Sequence, residues 1–292
     1  MANELTALSS ALADVVGKVA NSVVAVDARP RFGSSGVFWK PGIVVTAEHT
    51  VRREEEITVT LPDGSNVPAT VLGSDPGSDL AVLKVDAEGQ APVVASGEPT
   101  PGNLALSIGR SPDSGVNATM GIISAVSGSW RTWRGGRLDN YIRLDLTLYP
   151  GSSGGLVVNT NGEAIGIATS ALSRIAGLAI PASTVNRVVE EIVSRGHVSR
   201  GYLGVGLQPV ELPDHHKGLI VLSLAPEGPA DKAGIFIGDV VVSLEGVAVT
   251  DTDAIQAVLE KHAVGQTIQA GLVRGGAALQ LGVTIGERPR SN

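Results

Sequence analysis

A histidine, an aspartate and a serine lie in three short segments whose spacing is compatible with nucleophilic catalysis. His49 ends the segment Ala-Glu-His, Asp79 follows it by 30 residues, and Ser153 lies 74 residues further on, inside Gly151–Gly155. A serine hydroxyl becomes nucleophilic when a histidine removes its proton and a buried carboxylate holds that histidine in one tautomer. Backbone N–H groups beside the serine stabilise the oxyanion that forms, and glycines let the backbone turn these groups inward. The three segments therefore predict serine-based hydrolysis.

The number of histidines restricts the choice of base. The chain has five, and only His49 precedes residue 197, so a base from the same domain as Ser153 has to be His49. Asp79 is favoured as the acid because it precedes the apolar run Leu80–Leu83, and a carboxylate that enters a buried strand needs a partner. The order His, Asp, Ser is that of chymotrypsin-type enzymes rather than of subtilisin. By position alone seven other aspartates remain open, at 27, 63, 75, 86, 113, 139 and 145.

Each of the three segments, taken alone, is more typical of a structural role. Glycine- and serine-rich pentads are usually flexible turns, and an aspartate before a strand usually belongs to a turn or a cap. A single histidine after an apolar strand is also more often structural than catalytic. The joint occurrence of all three, in one order and within one domain-sized window, favours catalysis.

The composition indicates a folded protein with an aliphatic core. Hydrophobic residues make up 43% of the 292, aromatic residues only 3%, and 37 positions are glycine, which is typical of a β-rich protein with many turns. The length predicts one large or two ordinary domains. A net charge of −7, with few and dispersed arginines in 131–137, argues against nucleic-acid binding. The absence of cysteine excludes disulfides, zinc–thiolate sites and a thiol nucleophile.

The sequence as written carries no targeting signal that we recognise. Met1–Leu12 lacks the basic start and the continuous apolar stretch of a signal peptide. No window approaches the 18 apolar residues that a membrane-spanning helix needs, so we expect no integral membrane segment. These features predict a cytoplasmic protein, with a periplasmic or otherwise extracytoplasmic location as the alternative if the chain is a trimmed form.

Hydrophobic periodicity divides the chain into an all-β part and a smaller mixed part. Residues 3–20 have the spacing of an amphipathic helix, and many short strand-like runs with glycine and proline between them then predict a barrel or sandwich. A helix is predicted over Val185–Arg195, with Ser183 or Thr184 as its cap and Gly196 as its stop. After residue 198 the pattern of predicted strands and helices is that of a compact α+β module, which includes a predicted helix over Thr252–Lys261. We therefore expect domains at 1–198 and 199–292.

Several motifs resemble those of the HtrA/Deg family of serine proteases, over about residues 10–285. They surround each of the three candidate residues and continue into the second domain. The segments that carry the resemblance are Ser34–His49, Asp75–Val85, Pro150–Gly155, Gly166–Ala168, Gly177–Pro181, Arg200–Val205, Pro229–Gly234 and Gly238–Val240. The resemblance implies a mainly β fold, in which a chymotrypsin-like double β-barrel is followed by an α+β PDZ domain.

The resemblance also assigns site residues in the first domain. His49, Asp79 and Ser153 correspond to the family's catalytic triad. The backbone N–H groups of Gly151, Ser152 and Ser153 correspond to its oxyanion hole, with Gly151 and Ser153 as the main pair. The specificity pocket would be formed by Leu148, Ala176 and Leu178, and small or medium apolar side chains are expected to enter it.

In the second domain the resemblance implies a groove for C-terminal peptides. The loop that holds the terminal carboxylate would be Tyr202, Leu203, Gly204 and Val205, and the helix predicted over Thr252–Lys261 would line the groove. A plain glycine turn is the alternative for this loop. His215-His216 suggests a metal site, but adjacent histidines point apart and no ligand spacing supports one, so we predict a solvated loop and no metal.

These assignments predict an ATP-independent serine endopeptidase that cleaves unfolded or misfolded polypeptides in protein quality control and stress response. It needs no cofactor, and its PDZ domain binds C-terminal peptides for substrate recognition or activation. A homotrimer is expected by resemblance, with the N-terminal helix packed on the barrel or on a neighbouring subunit. Two alternatives stay open: a chaperone-like or scaffold protein whose cleft is held inactive, and a dedicated signalling protease with one partner.

Three departures from the family pattern bear on the site. Ser152 stands where asparagine usually precedes the nucleophile, and little loss is expected because the backbone acts there. Glu48-His49-Thr50 replaces the usual Asn-His-Val, so a carboxylate lies next to the base. The hairpin Arg29–Gly33 is very short, which argues against large assemblies held together by that loop.

Overall fold

The computed structural model describes residues 2–30, 32–53, 55–212 and 217–288. The pair His215-His216, for which we predicted a solvated loop, lies outside these residues. The chain forms two compact units, Met1–Val198 and Ser199–Asn292, and each is described by itself.

The first half of unit 1 is a closed antiparallel barrel of six strands in the order β1-β2-β3-β6-β5-β4. Its strands are rich in valine, isoleucine and threonine, whose branched side chains favour the pleated conformation. Residues of β2, β3 and β6 are buried on both faces because one face fills the barrel and the other packs outside it. The strands are β1 (Val23–Asp27), β2 (Ser34–Lys40), β3 (Ile43–Ala47), β4 (Ile57–Thr60), β5 (Asn66–Asp75) and β6 (Leu80–Val85).

The second half of unit 1 is another closed six-stranded barrel, in the order β11-β14-β13-β12-β7-β8, with a small separate hairpin formed by β9 and β10. Two closed barrels in one unit confirm the predicted chymotrypsin-like class. The strands are β7 (Leu104–Ser111), β8 (Gly115–Ser127), β9 (Trp130–Arg131), β10 (Arg137–Leu138), β11 (Tyr141–Asp145), β12 (Leu156–Val158), β13 (Ala164–Thr169) and β14 (Gly177–Pro181).

One apolar cluster joins the two barrels. Val45 and Leu80 of the first barrel and Leu156 and Ile180 of the second belong to the same buried cluster, and each of the four is fully buried. Burial of such side chains contributes about 1.5–3 kcal/mol each. This shared core holds β3 and β6 in place beside the second barrel.

Two helices complete unit 1. Helix α1 (Ala2–Val19) packs only its C-terminal part on the barrels: Val15 and Val19 are buried, whereas Leu5 and Leu8 are 73% and 49% exposed. Helix α2 (Ala182–Arg195) ends as predicted, because Gly196 adopts a φ of 79° and its N–H binds Ile192 O at 2.7 Å. Within the described residues, no helix has the length and apolar character needed to cross a bilayer.

The predicted cap of the second helix was wrong. Helix α2 starts three residues earlier than expected, and Pro181 occupies the N-cap position without a side-chain cap. The hydroxyl of Thr184 instead accepts the N–H of Asp139 at 3.0 Å, and Ser183 lies inside the first turn. Tertiary contact with the loop before β11 thus uses the hydroxyl that the sequence pattern assigned to capping.

Unit 2 contains a six-stranded antiparallel sheet, in which β16-β17-β18-β20-β21 are neighbours in that order and β19 pairs with β18, together with the short pair β15-β22 and two helices. Helix α4 ends at Leu259 rather than Lys261, since the N–H of Lys261 bonds to Val258 O in a tighter turn. The elements are β15 (Gly201–Tyr202), β16 (Val205–Glu211), β17 (Lys217–Leu224), α3 (Pro229–Lys232), β18 (Val240–Leu244), β19 (Val247–Ala248), α4 (Thr252–Leu259), β20 (Thr267–Arg274), β21 (Ala277–Thr284) and β22 (Gly286–Glu287).

An ion pair between a buried carboxylate and a partly exposed arginine makes the stability of unit 2 depend on acid. Asp239 is 2% exposed and receives two hydrogen bonds of 2.7 Å from Arg274 and one of 2.8 Å from the N–H of Phe236. The bonds from Arg274 hold the pKa of the Asp239 carboxyl below its ordinary value, although burial opposes this. A depressed folded-state pKa stabilises the fold above the unfolded-state pKa, and the contribution disappears as the pH falls through the folded-state pKa.

We therefore expect hydrogen-exchange protection of the β18 and β20 amides to fall steeply below about pH 4. Asp239→Asn should lower that protection at neutral pH, by about 2 kcal/mol, and flatten its acid dependence. Asp253→Asn, at an exposed position of α4, serves as the control. An unchanged acid dependence in Asp239→Asn would contradict the assignment.

Candidate active site

Adjacent ends of two paired strands bring His49 and Asp79 together. His49 lies in a single 3-10 turn, Glu48–Thr50, directly after β3, and Asp79 directly precedes β6. Because Ala47 and Leu80 are partners in the β3–β6 ladder, the residues that flank them meet. His49 Nδ1 lies 2.8 Å from Asp79 Oδ2 and 3.0 Å from Oδ1, and the His49 N–H donates to Oδ1 at 2.9 Å.

The Asp79 carboxylate is fully buried and has several donors. Asp79 adopts a φ of 59°, at the end of a turn in which the Asp75 carboxylate accepts the N–H and the hydroxyl of Ser78. Besides His49, the hydroxyl of Thr169 donates to Asp79 Oδ2. Thr169 ends β13, so the second barrel supplies this donor. A buried carboxylate with such partners can hold a histidine ring in one orientation.

Ser153 lies in the connection between β11 and β12 of the second barrel and is 6% exposed. Its Oγ is 3.1 Å from Ser170 Oγ, a neighbour that the sequence analysis did not single out. Across the described part of the chain, no hydrogen bond joins Ser153 Oγ to His49. Catalytic hydrogen bonds are often long or unmade before substrate binds, so this geometry is compatible with a nucleophile.

The loop around Ser153 leaves two backbone donors free. Among the described residues, the N–H groups of Gly151 and Ser153 have no hydrogen-bond acceptor. The N–H of Ser152 donates to Tyr149 O at 2.9 Å inside the loop, so the place of Ser152 in the oxyanion hole stays a prediction, whereas the two free donors are those predicted as the main pair. Gly151 has a φ of 95°, a backbone conformation that glycine adopts without strain.

Gly154, directly after the serine, has no room for a side chain. A Cβ atom there would lie 2.1 Å from Ser35 O and 2.6 Å from Thr46 Oγ1, and the residue has a φ of 85°. We expect Gly154→Ala to destabilise unit 1 by about 3 kcal/mol or more, since overpacking adds to the strained backbone. Gly64→Ala is the matched control: its φ is 87°, but a Cβ would meet nothing within 4 Å. Equal losses of stability in urea unfolding would contradict the steric argument.

The three predicted pocket residues differ in accessibility. Leu148 is partly buried, and a Cβ at the neighbouring Gly177 would lie 2.7 Å from Leu148 Cδ1. Ala176 is also partly exposed, just before β14. Leu178 is 1% exposed and packs in the apolar cluster shared by both barrels. Of the three, Leu148 and Ala176 therefore have side chains that a ligand could contact.

The carboxylate next to the histidine is paired with an arginine. Glu48 Oε2 lies 3.1 Å from Arg134 Nη1, on the connection between β9 and β10, and the two side chains are 21% and 28% exposed. The same connection contacts the turn before Asp79, where the hydroxyl of Thr132 donates to Gly77 O at 2.7 Å. The β9–β10 hairpin thus contacts both the turn that carries the histidine and the turn that carries the aspartate.

We expect Glu48 and Arg134 to be energetically coupled. Glu48→Gln and Arg134→Gln should each lower the free energy of unfolding, and the double variant should lose about 0.5–1 kcal/mol less than the sum of both. The coupling is measured by a double-mutant cycle, which compares the free energy of urea unfolding and kcat/KM among the original protein, the two single variants and the double variant. Strictly additive losses would show that the pair contributes nothing beyond its separate contacts.

In unit 2, the predicted peptide-binding residues form the entry to an edge strand. Tyr202 ends β15, Leu203 packs in the core, Gly204 has a φ of 75°, and Val205 begins β16. In the described residues, the N–H groups of Leu203 and Gly204 have no acceptor. Strand β16 is at the edge of its sheet. An edge strand beside free N–H groups can accept an extended peptide with its carboxylate.

Comparison with known proteins identifies both units. The family of trypsin-like peptidase domains matches residues 34–167, and the PDZ domain family matches residues 201–285. The crystal structure of the serine endoprotease from Yersinia pestis is similar to this chain with 32% identity and a TM-score of 0.80, and covers 94% of this chain and 97% of its own. The chain belongs to the HtrA/Deg family of serine proteases.

Other relatives agree with the family. A structure titled HtrA-type protease AlgW with decapeptide has a TM-score of 0.81 at 28% identity, and the match covers 96% of this chain and 99% of that one. Proteins called probable periplasmic serine endoprotease DegP-like, from Brucella suis biovar 1 (strain 1330) and Halomonas elongata (strain ATCC 33173), are 35% and 33% identical over 88% and 90% of this chain. The chain spans about half the length of these curated relatives, 53% and 58%.

Some residues of the site carry no signal that sequence reasoning could use. Thr169 and Ser170 follow an apolar strand without a motif, and Arg134 is one of several arginines in a loop. Only the meeting of distant segments shows that Thr169 bonds to Asp79 and that Arg134 bonds to Glu48. Within the described residues, no cluster of three or more histidine, aspartate or glutamate side chains is arranged to hold a metal ion.

Proposed function

We propose that this protein is a serine endopeptidase in which His49, Asp79 and Ser153 form the catalytic triad. The observation that carries the proposal is the 2.8 Å contact between His49 Nδ1 and a fully buried Asp79 carboxylate, on the same unit as Ser153 and its free N–H groups. HtrA-family membership and the names of the relatives support it. ATP has no part in this chemistry.

The proposed reaction proceeds through an acyl-enzyme. His49 Nε2 takes the Ser153 proton while Ser153 Oγ bonds to the substrate carbonyl carbon, and the carbonyl oxygen becomes an oxyanion. The N–H groups of Gly151 and Ser153 stabilise that charge. His49 then gives its proton to the leaving amine as the peptide bond breaks, and water releases the acyl group by the same steps. Asp79 orients the ring and stabilises its charged form.

The PDZ unit is proposed to bind the C-termini of polypeptides. The free N–H groups of Leu203 and Gly204 would receive the carboxylate, and the peptide would add as a strand to β16. Helix α4 would form the other wall of the groove. Such binding would either deliver substrates or activate the peptidase.

The substrates we propose are unfolded or misfolded polypeptides, in a quality-control role. The relatives named as periplasmic support the extracytoplasmic alternative of the sequence analysis, and nothing supports the cytoplasmic one. A homotrimer remains our proposal. The exposed Leu5 and Leu8 of α1 are available for contact with a neighbouring subunit.

A fluorophosphonate probe tests the catalytic proposal. The probe should label the native protein at one residue, and mass spectrometry of the digested adduct should locate it on Ser153. Protein that has not been treated with the probe should cleave an unfolded, reduced protein faster than its folded form, with stimulation by a peptide that has an apolar C-terminus, and probe treatment should abolish this cleavage. Labelling at another residue, or no labelling of folded protein with or without peptide, would overturn the proposal.

One observation favours a second candidate, a chaperone-like or scaffold protein with an inactive cleft. The Ser153 hydroxyl contacts Ser170 rather than His49. Under this alternative the protein binds unfolded chains and suppresses their aggregation, but the probe does not label it and it does not cleave these chains. The probe experiment separates the two functions, because binding alone leaves Ser153 unmodified.

A further inference from the structure

We infer that Ser35 is a positioning residue that holds the oxyanion loop, Gly151–Gly155, in the arrangement that stabilises the transition state. The inference rests on the proposed peptidase function. Ser35 belongs to β2 of the first barrel, whereas the loop belongs to the second, and the residue is fully buried. It lies within the segment Ser34–His49, but none of the motif arguments assigns it a role.

Ser35 makes two hydrogen bonds to the loop. Its N–H donates to Ser153 O at 3.1 Å, and its hydroxyl donates to Gly151 O at 2.8 Å. The direction of the second bond is determined, because a carbonyl oxygen can only accept and the hydroxyl must therefore donate. The hydroxyl oxygen also accepts the N–H of Arg110 at 3.0 Å.

These bonds orient three successive peptide groups. The carbonyl oxygens of Gly151, Ser152 and Ser153 are held by Ser35 Oγ, by the N–H of Gly155 and by the N–H of Ser35. In a trans peptide the N–H points opposite to the C=O of the same plane. Holding Ser152 O inside the loop therefore turns the N–H of Ser153 outward, where it has no acceptor in the described structure. The plane of Gly151 O also carries the N–H of Ser152, which donates to Tyr149 O, so loss of the Ser35 hydroxyl would leave this plane held by one hydrogen bond instead of two.

Ser35 is itself held by both barrels. Its backbone oxygen accepts the hydroxyl of Thr46, on β3, at 2.7 Å, and its side-chain oxygen accepts the N–H of Arg110, on β7. Arg110 in turn donates to Val23 O at 2.6 Å. The loop is thus tied to a rigid junction, and donors supported in this way lose little reorganisation energy during reaction.

Ser34 provides a matched control. It is the same residue type at the preceding position, and it is 1% exposed. Its hydroxyl receives a hydrogen bond from Thr50 at 3.0 Å and lies 3.5 Å from Thr46 Oγ1 and Val26 O, all within the first barrel. Removing it disturbs a buried hydroxyl next to Ser35 without removing a bond to the oxyanion loop.

The experiment compares Ser35→Ala and Ser34→Ala in the full chain. For each we would measure kcat and KM with a chromogenic peptide, Ki for a peptide boronic acid, which forms a tetrahedral adduct with the serine, and Ki for the matching product peptide. We expect Ser35→Ala to lower kcat and to weaken the boronic acid about 10- to 100-fold, with KM and product Ki changed less than about 3-fold. Ser34→Ala should lower thermal stability but change the boronic acid Ki less than about 3-fold.

Two results would overturn the inference: equal boronic acid affinity in the two variants, or an equal loss of boronic acid and product binding in Ser35→Ala. If Ser35→Ala does not fold, Ser35→Cys takes its place in the experiment. Cysteine is close to serine in size but is a weak hydrogen-bond donor, so we expect the same loss of boronic acid affinity. Failure of the proposed function itself is distinguishable, because the unmodified protein would then neither cleave the peptide nor bind the boronic acid.

Discussion

Ser153→Ala is expected to reduce kcat by about 10⁶-fold while the protein stays folded. The substitution removes one oxygen, whose recorded partner is the Ser170 hydroxyl at 3.1 Å, so little packing is lost. Without a nucleophile no acyl-enzyme forms, and His49 and the N–H groups of Gly151 and Ser153 have no covalent intermediate to stabilise. The remaining rate would come from water attack beside the oxyanion donors.

The measurement is cleavage of an unfolded protein, together with probe labelling and peptide binding to the PDZ unit. Peptide affinity should be unchanged, because the PDZ unit folds around its own core. Ser194→Ala, at an exposed position of α2, is the control and should keep full activity. Activity above about one-thousandth of the original in Ser153→Ala would show that another residue acts as the nucleophile.

Asp79→Asn is expected to lower kcat by about 10⁴-fold with little change in KM. Asp79 accepts hydrogen bonds from the His49 ring, the His49 N–H and the Thr169 hydroxyl. In Asp79→Asn the amide N–H₂ group can donate to His49 Nδ1, the nitrogen that donates to the carboxylate in the original protein. This favours the tautomer in which Nε2 carries the proton. The imidazole then cannot accept the Ser153 proton, and its charged form is no longer stabilised.

Asp27→Asn is the control for this variant, because Asp27 is an exposed aspartate paired with Arg53 at 2.8 Å, in the same barrel. Its kcat should stay within about 2-fold of the original, as expected for a surface pair. Circular dichroism would verify that both variants are folded. A loss of less than 10-fold in Asp79→Asn would remove Asp79 from the triad, whatever its distance from His49.

Much of this site could be anticipated because it depends on local chemistry. A single histidine in the first 196 residues leaves little choice of base, and an aspartate at the entry of a buried strand needs a partner. The strand pattern likewise predicts a barrel or sandwich, and the resemblance to the HtrA/Deg family implies the double barrel. The two barrels confirm that class, and Asp79 does lie against His49.

The wrong helix cap and the engaged N–H of Ser152 have a common physical origin. Thr184 has the chemistry of a helix cap, but its hydroxyl bonds to Asp139 from another segment. Ser152 has an N–H in the right stretch of chain, yet a turn bond to Tyr149 O uses it. In both cases the residue type allows the predicted role, and a competing partner that only the folded chain provides takes the group.

The sequence by itself determined the residue types for nucleophilic chemistry, their order and the β-rich class of the domain that carries them, because these follow from side-chain chemistry and hydrophobic period. The double barrel came from the resemblance to the HtrA/Deg family. The tertiary structure alone decided which groups meet: Thr169 with Asp79, Arg134 with Glu48, and Ser35 with the Gly151 carbonyl. Each of these contacts joins segments more than 80 residues apart. Hydrogen bonds over such separations depend on strand register and on how one barrel packs on the other, and neither leaves a local pattern in the sequence.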